Sequence, residues 1–218
     1  MSLLLFGIIS GDHSSSIDAD LRLVQSEGLV ALVKASDTEL SRESSSIIAY
    51  GDQIMRVHQQ TTMIPVRYGS LLADEQEVVK HLTDHSAHYH TLLAKLDDCE
   101  EVGIRMTLID SDGDSDSDSD SDALQASGHA YLKARKHVYS VPELAAQQET
   151  LINHTLAGLY REHRATLSLF NGQRTYLLSY LVPRATLMQF KAGYFDLSAS
   201  MGANVTLSGP WPPYNFSG

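Results

Sequence analysis

Three histidines, His81, His85 and His88, recur at i, i+4 and i+7 within "DEQEVVKHLTDHSAHYHTLLAKLDD", with His90 close behind. On a continuous α-helix that spacing lines three imidazoles along one stripe, and imidazole nitrogen is a common zinc ligand. A zinc hydrolase helix would also want a carboxylate placed as in H-E-x-x-H, and Asp84 falls on the far side of the stripe. The stripe also lies at the edge of the apolar face, where polar residues ordinarily meet water. A metal-dependent enzyme or metal-binding protein built on His81, His85 and His88 is the competing reading of the chain. An ordinary polar helix flank is the plainer one.

The remaining reactive residue types are sparse. Cys99 is the only cysteine, so no internal disulfide can form, and neither a base nor an orienting partner can be placed beside it. Asp110, Asp112 and Asp114 have the opening spacing of a calcium loop. However, Ser115 stands where the tight turn needs Gly, and Ser121 where a bidentate Glu belongs. Arg67 follows an apolar run in "IPVRYGSLL", where its fork of donors suits the carbonyls of a turn better than an anion, since no second basic residue is near. No Gly-rich phosphate loop, nucleophile elbow or paired catalytic motif occurs. The expectation is a protein with no catalytic residues, cofactor or metal.

Charge narrows the partners. The net charge of −11 owes seven units to the aspartates between Asp110 and Asp122, leaving −4 for the rest of the 218 residues. No Lys/Arg cluster is present to neutralise phosphates, so nucleic acid is not an expected partner. With 43% hydrophobic residues and mean hydropathy −0.16, the chain can bury one large or two small cores. No apolar run approaches the ~20 residues of a membrane span, and "MSLLLFGIIS" lacks the pattern of a secretory signal. A cytoplasmic protein without a membrane partner is expected.

The elements that must position these residues divide at the Asp/Ser run. Alternating Ser and Asp repel and bury nothing, which marks 111–122 as an acidic linker between an N-terminal unit, 1–110, and a C-terminal unit, 123–218. In the first unit, "LLLFGIIS" and "GLVALVKAS" read as strands. Ser36, Asp37 or Thr38 would cap a helix running to Gln60. "TTMIPVRYGSLL" reads as a strand and turn, the histidine segment as a second helix, and "VGIRMTLI" as a closing strand. The order β-β-α-β-α-β predicts an α+β sandwich with both helices on one sheet face. In the second unit, "ALQASGHAYLKARKHVY" reads as a helix, and a second helix runs from Ser140 through "YREHRA", opened by Ser140, Pro142 and Glu143. "TLSLF-NGQ-RTYLLSYLVP" reads as a hairpin turning at Asn171 and Gly172, "ATLMQFKAGYFDLSASM" as a helix and "ANVTLS" as a last strand. This is a smaller α+β unit with long helices.

The chain closes on "LSGPWPPYNFSG". Pro210 to Pro213 fits a PxxP ligand, whereas the strand pattern before it and the single Trp211 point to a folded end. Together with "IPVRYGSLL", "EEVGIRM", "GHAYL" and "YLVP", this ending resembles the gas vesicle proteins of the GvpL/GvpF family, in order over nearly the whole chain. The resemblance implies two α/β domains, the first a modified ferredoxin-like fold. It carries Pro65, Arg67, Tyr68 and Gly69 onto the family's proline-arginine-aromatic-glycine turn, and Gly209, Pro210, Trp211, Pro212, Pro213, Tyr214 and Phe216 onto its closing signature. Both segments are then structural or partner-binding. It further implies an accessory or minor structural protein needed for gas vesicle assembly. Such a protein would bind the apolar, GvpA-type main shell protein and other gas vesicle accessory proteins and help nucleate the shell, which requires surface and no chemistry.

Overall fold

The structure, a computed structural model, describes residues 2–12, 20–36, 40–108, 143–170, 173–201 and 204–218. The acidic run with its calcium-like spacing, the helix read over 123–139, the caps at Asp37, Thr38, Ser140 and Pro142, and the Asn171–Gly172 turn lie outside the described residues.

β1 (Ser2–Ser10) is a nearly unbroken apolar run, and such a strand needs cover on both faces. A bulge between Leu5 and Gly7 shifts the side-chain alternation by one residue. Leu3, Leu5 and Ile8 therefore face one layer, and Leu4, Phe6 and Ile9 the other. β2 (Arg22–Ser26), β3 (Leu29–Ser36), β4 (Met63–Pro65) and β5 (Leu71–Leu72) complete an antiparallel sheet of order β2-β3-β1-β4, with β5 also on β1. β2, absent from the sequence reading, is turned onto β3 by Glu27 and Gly28, both at positive φ (53° and 73°).

α1 (Ser44–Gln60) covers the Leu4 face with Tyr50, Ile54 and Val57, while α2 (Glu75–Asp84) and α3 (Ser86–Leu96) cover the Leu3 face with Val78, Leu82, Leu92, Leu93 and Leu96. The expected arrangement of both helices on one face is thus corrected, because a doubly apolar β1 leaves no face for solvent. α1 also starts later than expected. Glu43 is its N-cap and makes no side-chain cap bond, and Ser36 ends β3. α2 is capped at Asp74, whose carboxylate accepts from the Glu77 amide at 2.9 Å while Glu77 accepts from the Ala73 amide.

β6 (Cys99–Thr107), expected to close the first sheet, instead lies inside a second one. It pairs on one side with β8 (Gln173–Pro183) and on the other with β9 (Val205–Trp211), and β7 (Glu162–Phe170) completes the antiparallel order β7-β8-β6-β9. The β7–β8 hairpin forms where the sequence suggested it. β7 begins within "EHRA", read as helix, because α4 (Glu143–Thr155) stops short and Gly158 takes a positive φ in the turn that follows. α4, with Leu156 just past its end, and α5 (Leu187–Met201) cover one face of this sheet with Ile152, Leu156, Phe190 and Tyr194. The whole is mixed α+β with two antiparallel sheets and five helices among the described residues. No helix among them is long and apolar enough to cross a membrane.

Candidate functional site

The terminal segment is a fixed piece of the fold. After β9, Pro212 and Pro213 are buried, and a single 3-10 turn at Tyr214–Phe216 drives Phe216 to 0% exposure. Phe216 belongs to the core cluster that holds Leu3, Leu5 and Ile8 of the first sheet and Cys99 and Leu181 of the second, so it packs across the seam between them. Asn215 is fastened on three sides. Its amide and Nδ2 donate to the two oxygens of buried Glu101 at 2.9 and 2.5 Å, its Nδ2 also reaches Ser179 Oγ at 3.0 Å, and its carbonyl accepts from Arg164 at 2.5 Å. Lys95 and Arg164 stand over the Phe216 ring at 5.8 and 5.4 Å, within cation–π range. Both also pair with Glu162, at 2.6 and 3.2 Å. Burial opposes the charge on Glu162, but the hydrogen bonds and charges of Lys95 and Arg164 outweigh it and hold the carboxyl below its usual range. Gly209 starts this segment at φ 99°, and a Cβ there would stand 2.7 Å from the Glu101 carbonyl oxygen, so glycine is required.

"EEVGIRM" places two acids back to back, Glu101 buried and Glu100 part-buried, because neighbouring strand residues face opposite sides. Glu101 holds the terminal segment. Glu100 points the other way, to His58 of α1 at 2.7 Å and to Arg184 at 2.9 Å, while Arg184 Nη2 donates to the His58 carbonyl at 2.5 Å. His58 is only 2% exposed. This second clamp ties α1 to the second sheet. The sequence reading missed it; its only signal was the pair of acids in an otherwise apolar strand.

The two segments singled out from the sequence meet at a cavity of about 470 Å³. Its walls include Leu5 and Ile8 of β1, Pro65 and Arg67, His81 and Tyr89, and Tyr214 of the terminal turn. Pro65 is buried at the end of β4. Arg67 is exposed, and among the described residues its guanidinium makes no hydrogen bond or ion pair, so the expected turn-holding fork is corrected: the turn is closed instead by Ser70 Oγ on the Arg67 carbonyl at 3.1 Å and by Gly69 at φ 108°. Tyr68 faces the opposite layer, where its hydroxyl donates to the Ser41 carbonyl and its ring lies 5.1 Å from Tyr50. Burial pushes the Tyr214 hydroxyl up to about 12, so it stays neutral. Gly209, Pro210 and Trp211 stand apart from the cavity on β9; Trp211 is 49% exposed.

Only one member of the histidine stripe faces the cavity. The helix expected to be continuous breaks at His85 (φ −115°, ψ 11°), whose ring Nδ1 donates at 2.9 Å to the His81 carbonyl that its own amide would otherwise bond. The His81 and His85 rings sit 4.7 Å apart, but Tyr89 occupies His81 Nε2 at 2.7 Å. Burial, and then the charge of His85, lowers the pKa of His81, and burial raises that of Tyr89. His81 is therefore held neutral, sharing one hydrogen bond between its Nε2 and the Tyr89 hydroxyl. The three imidazoles do not converge, and among the described residues no group of three His, Cys, Asp or Glu is placed to hold an ion. Cys99 is buried, which pushes its thiol up to about 11 and leaves it unreactive at neutral pH.

Comparison with known proteins gives this arrangement a family. The chain is similar to "Gas vesicle protein L" of Streptomyces sp. (strain CB03234), 28% identical over 169 residues, or 72% of this chain; the match spans 63% of that relative's length. Its fold is that of crystal structures of GvpF from Anabaena sp. PCC7120, with TM-score 0.72, 15% identity and coverage of 100% of this chain and 96% of that one. It is also that of GvpF from Microcystis aeruginosa, with TM-score 0.68, 15% identity and coverage of 100% and 99%. The family model described as "Gas vesicle synthesis protein GvpL/GvpF" matches residues 2–218, and the chain belongs to that family.

Proposed function

We propose that this protein is a gas vesicle assembly factor or minor structural component that binds the apolar main shell subunit, limits its misassembly and helps nucleate the wall. It works by contact and without catalysis, in the cytoplasm and at the growing vesicle, alongside other accessory proteins. The observation that carries the reading is the cavity where the family's two segments meet. Leu5, Ile8, Ile64, Val66, Leu71 and Leu72 give it an apolar wall beside polar groups, and it bears one exposed cation, Arg67, whose guanidinium makes no bond among the described residues. A subunit that exposes a large apolar surface before incorporation needs such a complementary surface on its partner. The Phe216 and Glu101 anchors hold the terminal wall of the cavity rigid, which lowers the ordering cost of binding.

The test is a deletion strain complemented with wild type, Arg67→Ala, or a His81→Ala/His85→Ala/His88→Ala triple variant. Wild type should restore vesicles, and the Arg67 variant should fold normally yet restore few and capture less shell subunit in a pull-down. Full vesicle yield from the Arg67 variant would remove the cavity from the reading. Loss of vesicles in the triple variant, with stoichiometric zinc in the untagged wild-type protein, would replace it with a metal-dependent role.

A further inference from the structure

We infer that the outer edge of β9, with the adjoining face of α5, is a second docking site, which takes an extended, alternately apolar segment carrying a carboxylate and adds it to the second sheet as a fifth strand. This rests on the reading of the protein as a partner of the shell subunit, and it locates a contact distinct from the Arg67 cavity. The ladder decides which backbone groups are free. Thr107 N donates to Asn204 O, and Arg105 and Gly103 lie opposite Thr206 and Ser208, so the even residues of β9 bond to β6. The odd ones, Val205 and Leu207, turn their N–H and C=O groups outward. The Tyr194 hydroxyl takes the Val205 carbonyl at 3.1 Å, and among the described residues Leu207 keeps both groups for a newcomer.

Exposed edges are ordinarily blunted by charge, by proline or by shortness. β7 carries Glu162, His163 and Arg164, β2 carries Arg22, and β4 is three residues ending in Pro65. β9 has no charged residue, and Pro210 falls only in its last part, past Ser208, where the ladder to β6 shifts register before Trp211 pairs with Glu101. Alongside it runs a groove lined by Lys191, Tyr194, Phe195 and Ala199 of α5 and by Val205 and Leu207 of β9. Met188, Lys191, Phe195 and Ala199 recur at i, i+3, i+7 and i+11, and Met188 and Phe195 are 76% and 61% exposed. A helix beside a bare strand edge is the geometry of strand addition, in which the backbone supplies affinity and alternate side chains settle into the groove. Among the described residues Lys191 is the only charged side chain lining it, and this selects an occupant with a carboxylate.

Overlapping dye-labelled 12-residue peptides spanning the main shell subunit would be titrated against the full chain by fluorescence anisotropy. At least one strand-forming acidic peptide should bind wild type. Lys191→Glu and Phe195→Asp should each weaken it about tenfold or more without moving the thermal midpoint, and Leu169→Asp on the opposite edge should leave it unchanged. Equal peptide binding by the groove variants overturns the site. So does a wild-type dimer that either groove variant converts to a monomer, because a second copy then fills the edge. Peptide binding that appears only when residues 111–122 are deleted would also overturn it, by assigning the groove to the chain itself. If intact shell subunit binds wild type and groove variants alike, the proposed function stands and this site falls; if it binds neither, both fall.

Discussion

Replacing Phe216 by Ala tests whether the chain's ending holds the two sheets together. The ring is fully buried among Leu3, Leu5, Ile8, Cys99 and Leu181, with Lys95 and Arg164 over it. Losing its transfer from water costs about 2 kcal/mol, and a residual cavity of about 100 Å³ at ~24 cal/mol per Å³ adds about 2.4 kcal/mol. The sum, about 4 kcal/mol, is a large share of the 5–15 kcal/mol that a domain typically has. Urea unfolding followed by circular dichroism should show the midpoint falling accordingly with an unchanged slope. Lys95 and Arg164 keep Glu162, so their own loss should contribute little. A drop below about 1 kcal/mol would mean that the site collapses freely or that the segment detaches in solution. If such a variant also failed to form vesicles, Phe216 would belong to a binding surface and the anchoring role would be refuted.

Other perturbations separate anchoring from recognition. Glu101→Gln leaves one acceptor where Asn215 presents two donors, and should cost about 1.5–3 kcal/mol in the same denaturation assay. Arg67→Ala, at an exposed guanidinium, should move stability by less than about 0.5 kcal/mol, while shell-subunit capture measured by pull-down falls. Stability should also fall on acidification. The folded pKa of His81 is lowered, so its contribution is complete above about 6.5 and is lost as pH drops through the folded value; Glu162, likewise lowered, adds a second loss in the carboxylate range. A thermal midpoint recorded from pH 8 to pH 3 checks this, and His81→Gln should flatten the first step only.

Much of the fold was legible because local pattern and tertiary demand agreed. The β7–β8 hairpin, the apolar β1 run and the strand before the terminal motif each carry a period that matches their burial. The misreadings came from tertiary effects that a local window does not contain. A continuous apolar β1 signals cover on both faces, yet the order of helices alone suggested one. The break at His85 depends on a ring nitrogen taking a carbonyl one turn back, which helical spacing cannot reveal. β6 changes sheets because its two partners lie about 70 and 100 residues further along, and no neighbouring pattern encodes that choice. Of the candidate site, the terminal signature and Pro65–Gly69 were visible as motifs. Glu100, Glu101, His58 and Arg184 were not, since a buried clamp is recognised by its partners and these are far apart in sequence.

The central claim, that the protein acts by binding the apolar shell subunit, is tested most directly by light scattering of purified shell subunit diluted from denaturant into buffer with increasing amounts of this chain. Scattering should fall as the protein approaches stoichiometric amounts, and a complex of the two should elute together on gel filtration. Arg67→Ala should need a several-fold higher concentration to reach the same suppression. Scattering that is unchanged at a fivefold excess of folded wild-type protein, with the two components eluting apart, would contradict the claim.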